Sequence, residues 1–337
     1  MKRNYSLKSL NSFGLDVVAS YFFEIKSVDA ISKIIVDPVF KEKQYLILGG
    51  GCNTLFQNDF YNGLVLYVNN KGIEIIEETN TQCVVRVQAG EDWPSFVDKM
   101  VALGLFGVEN LTGIPGKVGA APVQNIGAYG AELKDVFLRA FAVNLSDGTT
   151  REFTNAACCF SYRNSIFKNE LKGKYLIYAI DFLLKKNAPL NLSYSAIRAY
   201  LNENQITDPS LKMLSEIISS IRTSKIPDPK TIGNAGSFFK NPVVDRKQFL
   251  QIQAEFPDVS FFEEARGNVK IAAAWLIEKT GWKGYCEGDA GVYDKHVLVL
   301  VNHGKAKGNE IIALAQKIQE SVQKKFGLKI EPEVNIV

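Results

Sequence analysis

The sequence predicts an α+β protein in which a strand-rich part precedes a smaller mixed part. In the first half, short apolar runs end at glycine-containing turns, a pattern typical of buried strands. After about residue 190, apolar side chains recur instead at the spacing of helices. Residues 226–230, Ile-Pro-Asp-Pro-Lys, are the best candidate for an internal boundary, and 337 residues allow two or three domains.

The individual elements follow from these patterns in chain order. Strands are predicted at residues 45–48, 63–68, 82–88, 141–145 and 174–184, the fourth ending in a Ser-Asp-Gly turn. Helices are predicted at residues 93–101, 211–221, 271–277 and 311–326, with Gly104, Gly281 and Gly327 following three of them as end signals. Residues 328–336 alternate between apolar and polar, which predicts a terminal strand carrying Glu333 on its polar side.

Composition and charge exclude several classes of protein. The 39 Lys and Arg nearly balance the 36 Asp and Glu, so no nucleic-acid footprint is indicated. No apolar run reaches the ~18 residues of a membrane span, and no apolar stretch follows the basic N-terminus as in a signal peptide. Five cysteines without a C-x-x-C pair and only two histidines argue against a disulfide framework and against a metal centre. We therefore expect a cytoplasmic protein that holds no metal and borrows an organic cofactor.

Two glycine-rich segments are candidates for binding that cofactor. Residues 49–54, Gly-Gly-Gly-Cys-Asn-Thr, directly follow a predicted strand, and glycines let backbone N–H groups converge on a phosphate. Without the lysine of a P-loop, this segment is equally compatible with a plain tight turn. Residues 113–130 contain five glycines and two prolines, and a loop of that length usually has a function. The alternative is an ordered loop that binds nothing.

Three further residues are candidates for chemistry. Ser237 lies in Gly-Ser-Phe-Phe-Lys-Asn, where its hydroxyl either serves a turn or exchanges a proton through a hydrogen-bonded relay. Arg163 lies among apolar and hydroxyl groups, and its planar fork suits a carboxylate or a phosphate, although a structural ion pair is the commoner role. Glu333, taken alone, is a solvated strand carboxylate. Both His296 and His303 are interpreted as structural.

Taken together, these segments resemble the UDP-N-acetylenolpyruvoylglucosamine reductase family. The resemblance covers nearly the whole chain, and the order and spacing of its motifs make it specific. The matching motifs are Asn11-Ser12-Phe13-Gly14, the two glycine segments, Tyr162-Arg163-Asn164-Ser165, residues 233–242 and Glu331-Pro332-Glu333-Val334. Ser193-Tyr194-Ser195 resembles the tyrosine-bearing loop of the longer family type.

The resemblance implies an FAD-binding fold of the vanillyl-alcohol oxidase-like type, in which two α+β subdomains hold the flavin. A C-terminal α+β domain would bind the substrate. The implied divisions are residues 1–68 for FAD-binding subdomain 1, with residues 328–337 returning near the active site, residues 69–224 for subdomain 2, and residues 225–327 for the substrate domain. No histidine lies near either glycine segment, so noncovalent FAD is expected.

The resemblance also implies an activity. NADPH would reduce the flavin, and flavin N5 would deliver hydride to C3 of the enolpyruvyl group of UDP-N-acetylglucosamine enolpyruvate. Ser237 would protonate C2 to give UDP-N-acetylmuramate for peptidoglycan synthesis. Arg163 and Glu333 match the other two active-site positions, and Glu333 would have to carry or share a proton there, because a bare anion would oppose the developing charge.

Binding residues carry over in the same way. Tyr194, Lys225 and Asn241 match substrate contacts. The implied FAD contacts are Gly49, Gly50, Gly51, Cys52, Asn53, Thr54, Gly113, Ile114, Pro115, Gly116, Gly119, Ala120, Gln124, Asn125, Gly127, Ala128 and Tyr129. The expected partner is the small-molecule substrate alone, with a monomeric protein.

Two positions depart from the family pattern. Cys52 stands where serine is more usual, which changes hydrogen bonding near the FAD diphosphate. Asn164 stands where aspartate is commoner beside Arg163. Two rival functions were weighed: a related FAD oxidase acting on a hydroxy acid or sugar, and a catalytically silent nucleotide-binding protein. Neither rival accounts for Ser237, Arg163 and Glu333 together.

Overall fold

The computed structural model describes residues 1–264 and 267–337, which divide into two compact units. Unit 1 consists of Met1–Tyr5, Ala19–Gly51 and Asn62–Thr223. Unit 2 consists of Ser6–Val18, Cys52–Tyr61 and Ser224–Val337. Among the described residues, none of the helices combines the length and the apolar character that a membrane crossing requires.

Strands make up much of both units. In chain order they are β1 (Lys2–Ser6), β2 (Val18–Ile25), β3 (Tyr45–Leu48), β4 (Thr54–Leu55), β5 (Phe60–Val68), β6 (Ile73–Glu78), β7 (Gln82–Gln88), β8 (Gly127–Ala128), β9 (Ala131–Glu132), β10 (Phe137–Asn144), β11 (Thr150–Thr154), β12 (Tyr175–Lys185), β13 (Gly233–Ser237), β14 (Val243–Val244), β15 (Phe261–Glu263), β16 (Val269–Ile271), β17 (Cys286–Glu287), β18 (Ala290–Val292), β19 (Val299–Asn302) and β20 (Asn335–Ile336).

The helices are α1 (Val28–Ile35), α2 (Pro38–Glu42), α3 (Trp93–Ala102), α4 (Ser195–Glu203), α5 (Leu211–Lys225), α6 (Arg246–Glu255), α7 (Ala273–Glu278) and α8 (Gly308–Phe326). The longest, α8, shows why its sequence is helical. Ile311, Ile318 and Val322 repeat at helical spacing and are fully buried, and Gly327 ends the helix in the left-handed conformation at φ 68°.

Unit 1 contains two main sheets. The first has the order β1-β2-β5-β3, in which β3 and β5 run parallel. The second has the order β11-β10-β12-β7-β6 and is antiparallel throughout. Trp93 and Phe96 of α3 pack on Phe182 of β12, with ring centroids 6.0 and 4.8 Å away. The predicted division at residue 68 thus falls between the two sheets and stays a prediction.

Unit 2 is built on a sheet of order β13-β19-β18-β17, with a three-stranded sheet β14-β16-β15 beside it in the same unit. The strand β20 pairs in parallel with β4, so the C-terminal residues join the segment that follows the triple glycine. Residues 6–18 and 52–61, which the implied divisions assigned to subdomain 1, cluster with this unit instead.

Most predicted elements agree with the structure, but two do not. The terminal strand is wrong in extent, because only Asn335 and Ile336 form strand β20 and Pro332 makes a single bridge to Phe239. Ile271 belongs to β16 rather than to a helix. Helix α7 begins at Ala273, whose N–H donates to Asn241 Oδ1 at 2.9 Å, a cap from a distant residue that periodicity does not reveal.

Candidate active site

In unit 1 the two glycine segments meet, although they lie far apart in the sequence. A Cβ built on Gly49 would lie 3.4 Å from the Cβ atoms of both Lys117 and Ala120, which is closer than most side chains tolerate. Gly51 and Gly116 have left-handed backbone, at φ 64° and 130°. Such turns point N–H groups inward, and small residues let a large ligand approach the backbone. This cradle fits the diphosphate of a dinucleotide such as FAD.

Not every glycine of the long loop faces a ligand. A Cβ on Gly119 would come within 2.5 Å of the Ala89 side chain, so that glycine is required by packing. The Gly119 N–H donates to Ala89 O at 2.8 Å and holds the loop against the end of β7. Lys117 is buried, and its Nζ donates to Asp92 Oδ1 at 2.9 Å. Burial opposes ionisation of Asp92, but its bonds and charge contacts with Lys117 and Lys71 keep the pKa of its carboxyl below the usual value.

Arg163 lies in the same unit in a strained conformation. Its φ of 51° belongs to the left-handed region that residues other than glycine rarely adopt. Its Nη2 donates to Gly127 O at 2.7 Å, and a Cβ on Gly127 would lie 3.1 Å from Nη1. Asn125 and Tyr129 of the long loop are also left-handed, at φ 45° and 49°. Backbone strain therefore concentrates where the sequence predicts cofactor binding and catalysis.

Asn125 is fully buried, and its side chain serves the loop. Its Nδ2 donates to Glu132 Oε2 at 2.9 Å and to Ser161 O at 3.2 Å, and its Oδ1 accepts from the Lys134 N–H at 3.0 Å. The Asn125 side chain thus holds the loop in place, and its contact with a cofactor stays a prediction. Gln124 lies next to it, where its Oε1 accepts from Lys168 Nζ at 3.4 Å.

The carboxylate that acts on Arg163 electrostatically is Glu132. Burial opposes its ionisation, but hydrogen bonds from Lys134 and Asn125 and the charge of Arg163 keep the pKa of the Glu132 carboxyl below its usual value. Asn164, where the family more often has aspartate, makes a different contact: its Oδ1 accepts from Asn169 Nδ2 at 2.8 Å.

A second guanidinium, that of Arg222 on α5, is a residue that sequence reasoning missed. It is half-buried, and its Cδ lies 3.1 Å from a Cβ built on Gly113. Burial lowers the pKa of Arg222, the nearby charge of Arg163 lowers it further, and the Tyr129 phenol opposes the change. No pattern in the sequence identifies it, because an arginine beside the apolar stripe of a helix is usually a surface residue. The guanidinium groups of Arg163 and Arg222 are close enough to interact electrostatically, which makes this part of unit 1 suited to an anion.

Tyr194 also reaches this region. Its ring is exposed and meets the ring of Tyr129 edge-on, with centroids 5.2 Å apart. Asn110 fixes the two segments, because its Nδ2 donates to Tyr129 O at 2.8 Å and to Asn191 O at 2.9 Å. A predicted substrate contact and a predicted cofactor contact are thus held side by side.

In unit 2 the structure pairs the backbone segments that carry Ser237 and Glu333. Ser237 ends β13, and the residue after it, Phe238, accepts a backbone hydrogen bond from the Glu333 N–H at 2.7 Å. The Lys240 N–H donates to Glu331 O at 2.9 Å, so the two segments run antiparallel. Both Ser237 and Glu333 are half-buried, which leaves each partly accessible to a ligand.

The strand that carries Ser237 is anchored at its start. A Cβ on Gly233 would lie 2.2 Å from Phe13 O, so the backbones touch there and only glycine fits. The Asn234 N–H donates to Ser12 O at 3.0 Å. The motif at residues 11–14 therefore anchors the start of the strand that ends at Ser237.

The other predicted residues in unit 2 are Cys52, Asn53, Thr54, Lys225 and Asn241. Asn53 Nδ2 donates to Glu333 O at 3.2 Å, and Asn53 O accepts from the Asn335 N–H at 3.0 Å, so this predicted cofactor residue also ties down the tail. Asn241 uses its Oδ1 to cap α7. Lys225 is exposed at the end of α5, and its charge helps burial to lower the pKa of His296. Within the described residues, no group of three or more His, Cys, Asp or Glu could hold a metal ion.

Comparisons with known proteins establish the family and the fold. Residues 228–337 match the family model of the UDP-N-acetylenolpyruvoylglucosamine reductase C-terminal domain, and residues 19–154 match that of an FAD binding domain. A solved structure of UDP-N-acetylenolpyruvylglucosamine reductase from Thermus caldophilus is 21% identical, covers 98% of this chain and 97% of its own, and superposes with a TM-score of 0.69. That likeness establishes the fold.

Relatives named UDP-N-acetylenolpyruvoylglucosamine reductase match over the full length. The protein from Flavobacterium johnsoniae is 45% identical over 100% of this chain and 99% of its own. The protein from Bacteroides fragilis is 44% identical over 100% of both chains, and that from Pseudomonas aeruginosa is 43% identical over 100% of this chain and 98% of its own. The protein is therefore an FAD-containing oxidoreductase and belongs to the UDP-N-acetylenolpyruvoylglucosamine reductase family.

Proposed function

We propose that this protein uses NADPH to reduce UDP-N-acetylglucosamine enolpyruvate to UDP-N-acetylmuramate, a step of peptidoglycan precursor synthesis. The observation that carries the proposal is the full-length match to relatives named for this reductase. The pairing of the backbone segments that carry Ser237 and Glu333 supports the chemistry. A cytoplasmic monomer stays our expectation.

The cofactor would be held noncovalently by the cradle around Gly49, Gly51 and Gly116, because glycine turns leave backbone N–H groups accessible to a diphosphate. When bound, FAD supplies the hydride for C3 of the enolpyruvyl group from its N5, after NADPH has reduced it. Ser237 then has one task, which is to donate its hydroxyl proton to C2 and to recover a proton from solvent. Hydride and proton together saturate the carbon–carbon double bond.

The charged residues would manage the negative charge that develops as hydride arrives. Arg163 is suited to the substrate carboxylate, because its planar fork can contact both oxygens. Glu333 would act in the form that carries a proton, since a second anion would oppose the reaction. Tyr194, Lys225 and Asn241 would hold the rest of the substrate, with the Lys225 ammonium facing the diphosphate.

The test is to follow the flavin spectrum of the purified protein anaerobically, first with NADPH and then with the enolpyruvyl substrate. We expect NADPH to bleach the flavin and the substrate to restore it. Reoxidation by oxygen alone would instead favour a related FAD oxidase, and a protein that takes up no FAD would favour a silent nucleotide-binding scaffold.

A substitution separates the two half-reactions. Ser237→Ala should leave flavin reduction by NADPH near normal while slowing reoxidation by the substrate about 10² to 10⁴-fold, the usual contribution of a positioned proton donor. Ser260→Ala is the matched control, because Ser260 is an exposed serine of the same unit. Equal slowing of both half-reactions in Ser237→Ala would remove Ser237 from the role of proton donor.

A further inference from the structure

A thiol and an imidazole meet on the main sheet of unit 2, away from the residues assigned above. Cys286 lies on β17 and His303 directly follows β19, and β18 runs between these two strands. In the register of the sheet, Gly291 of β18 is opposite Cys286 on one side and opposite Val301 on the other. Because side chains alternate along a strand, His303 shares the sheet face of Val301. The face therefore carries Cys286 and His303 on either side of a glycine.

That glycine is what allows the two side chains to meet. A Cβ on Gly291 would lie 2.9 Å from Cys286 Sγ and 3.1 Å from His303 Nε2, so any side chain there would push the pair apart. With glycine in place, Sγ lies 3.6 Å from Nε2, within hydrogen-bond distance for sulfur. Both Cys286 and His303 are exposed, so a reagent in solution can reach the sulfur.

The charged residues near Cys286 and His303 are bonded to other groups and leave both side chains exposed. The His303 N–H donates to Asp289 O at 2.8 Å, and Asp289 Oδ2 accepts from the Lys305 N–H at 2.7 Å, which fixes the loop that carries the imidazole. On the other side, Glu287 beside the cysteine forms a 2.5 Å pair with Lys317 of α8. The carboxylates next to the pair are thus engaged in contacts of their own.

Three of the other four cysteines provide the comparison, the fourth being the half-buried Cys52 of the first glycine segment. Cys83 and Cys158 are buried, and burial raises the pKa of both thiols, that of Cys158 to about 12. Cys159 is exposed like Cys286, but its Sγ lies 3.7 Å from Ala156 O, a carbonyl that cannot take up a proton from it. Only an imidazole can both accept the thiol proton and return it near neutral pH.

We infer that Cys286 is a site of covalent thiol modification, activated by His303, with disulfides and soft carbon electrophiles as its class of reagent. In the reaction with a low-molecular-weight disulfide, His303 Nε2 takes the thiol proton and Cys286 Sγ attacks one sulfur of the reagent. A new S–S bond forms, the S–S bond of the reagent breaks, and the departing thiolate takes up the proton. The exchange needs no oxidant besides the disulfide and is reversed by an excess of thiol.

The experiment is a time course with iodoacetamide on the FAD-loaded protein at pH 7, with each cysteine quantified by peptide mapping. Here an S–C bond forms and iodide leaves, so the rate reports how readily each sulfur gives up its proton. We expect Cys286 to react about tenfold faster than Cys159, because the His303 imidazole, 3.6 Å from Cys286 Sγ, can take the thiol proton, whereas the carbonyl beside Cys159 cannot. Glutathione disulfide should form its mixed disulfide at Cys286 first.

His303→Gln is the decisive variant, since glutamine keeps a polar side chain but cannot take the proton. It should lower the rate at Cys286 to that of Cys159, while the Cys159 rate in the same sample stays unchanged and reports an intact fold. At about pH 9.5, where ordinary thiols are largely ionised, the difference between wild type and variant should disappear. Equal rates at the two exposed cysteines in the wild type, or an unchanged Cys286 rate in His303→Gln, would overturn the inference.

Discussion

The two units bury polar groups of different kinds. In unit 1, groups that carry charge are buried, including Lys117 and the carboxylate of Asp181, which has no exposed surface. In unit 2, as far as its residues are described, the buried polar side chains are the neutral amides of Asn11, Asn234 and Asn302. Unit 1, which carries Arg163, thus buries charged groups alongside neutral ones such as Asn110 and Asn125, whereas the buried polar side chains described in unit 2, which carries Ser237, are all neutral.

The contacts show what each strategy achieves. Asp181 on β12 accepts from Arg86 Nε and Nη2 at 2.7 and 2.8 Å and from Arg139 Nε at 2.7 Å, which ties three neighbouring strands together. Asn302 bonds only to backbone, donating to Phe13 O at 2.9 Å and accepting from two N–H groups of the loop that follows it. The charged groups of Asp181, Arg86 and Arg139 link the side chains of neighbouring strands. The amide of Asn302 instead supplies hydrogen-bond partners to backbone N–H and C=O groups.

The largest effect should come from Arg163, the charged residue of unit 1 that we propose to contact the substrate carboxylate. Arg163→Lys keeps the charge but loses the planar fork, so we expect turnover to fall about 10² to 10³-fold while NADPH still reduces the flavin. Stopped-flow measurement of the two half-reactions checks this. Arg151→Lys, at an exposed arginine of the same unit, is the control, and near-normal turnover in Arg163→Lys would argue against the carboxylate contact.

The next largest effect should be on folding. Asp181→Asn leaves two guanidinium groups without their shared carboxylate, and we expect a loss of about 3 kcal/mol in the free energy of unfolding. Urea unfolding followed by tryptophan fluorescence measures it. Asp258→Asn is the control, because Asp258 pairs with Lys279 at the surface and such pairs contribute little. Similar small losses in both variants would remove the distinction between buried and exposed charge.

The amide scaffold of unit 2 should give a smaller loss. Asn302→Ala leaves one carbonyl and two N–H groups without their partner, which should cost about 2 kcal/mol. Asn309→Ala, at an exposed residue of α8, should change the urea midpoint little. If Asn302→Ala costs as much as Asp181→Asn, then buried charge offers no greater stabilisation here than a neutral amide.

The sequence predicts features that depend on local patterns, but not those that depend on contacts between distant residues. Apolar periodicity located α3, β7 and α8, because burial of a face leaves its period in the sequence. A glycine-rich loop is also visible in the sequence, since glycine permits conformations that other residues avoid. The left-handed backbone of Arg163, which lies 36 positions from its partner Gly127, is imposed by tertiary contacts and leaves no local signal. The same holds for Arg222, because its neighbours Tyr129 and Gly113 are distant in the sequence.

The smallest effect we predict concerns pH in unit 2. His296 is half-buried, and its Nδ1 accepts from the Leu298 N–H at 3.2 Å. Burial lowers the pKa of His296, Lys225 lowers it further, and the charge of Glu278 opposes the change. The unfolded chain therefore binds a proton at a higher pH than the folded one does.

It follows that this histidine contributes stability above about pH 6.5, the ordinary histidine value, and loses it as the pH falls from there. His296→Gln should flatten the decline of the urea midpoint between pH 7 and pH 5. Because a neutral amide scaffold does not titrate, a steep residual slope in His296→Gln would mean that the acid sensitivity arises in the charged scaffold of unit 1. A slope identical to that of the wild type would show that His296 is as easily protonated in the folded protein as in the unfolded one.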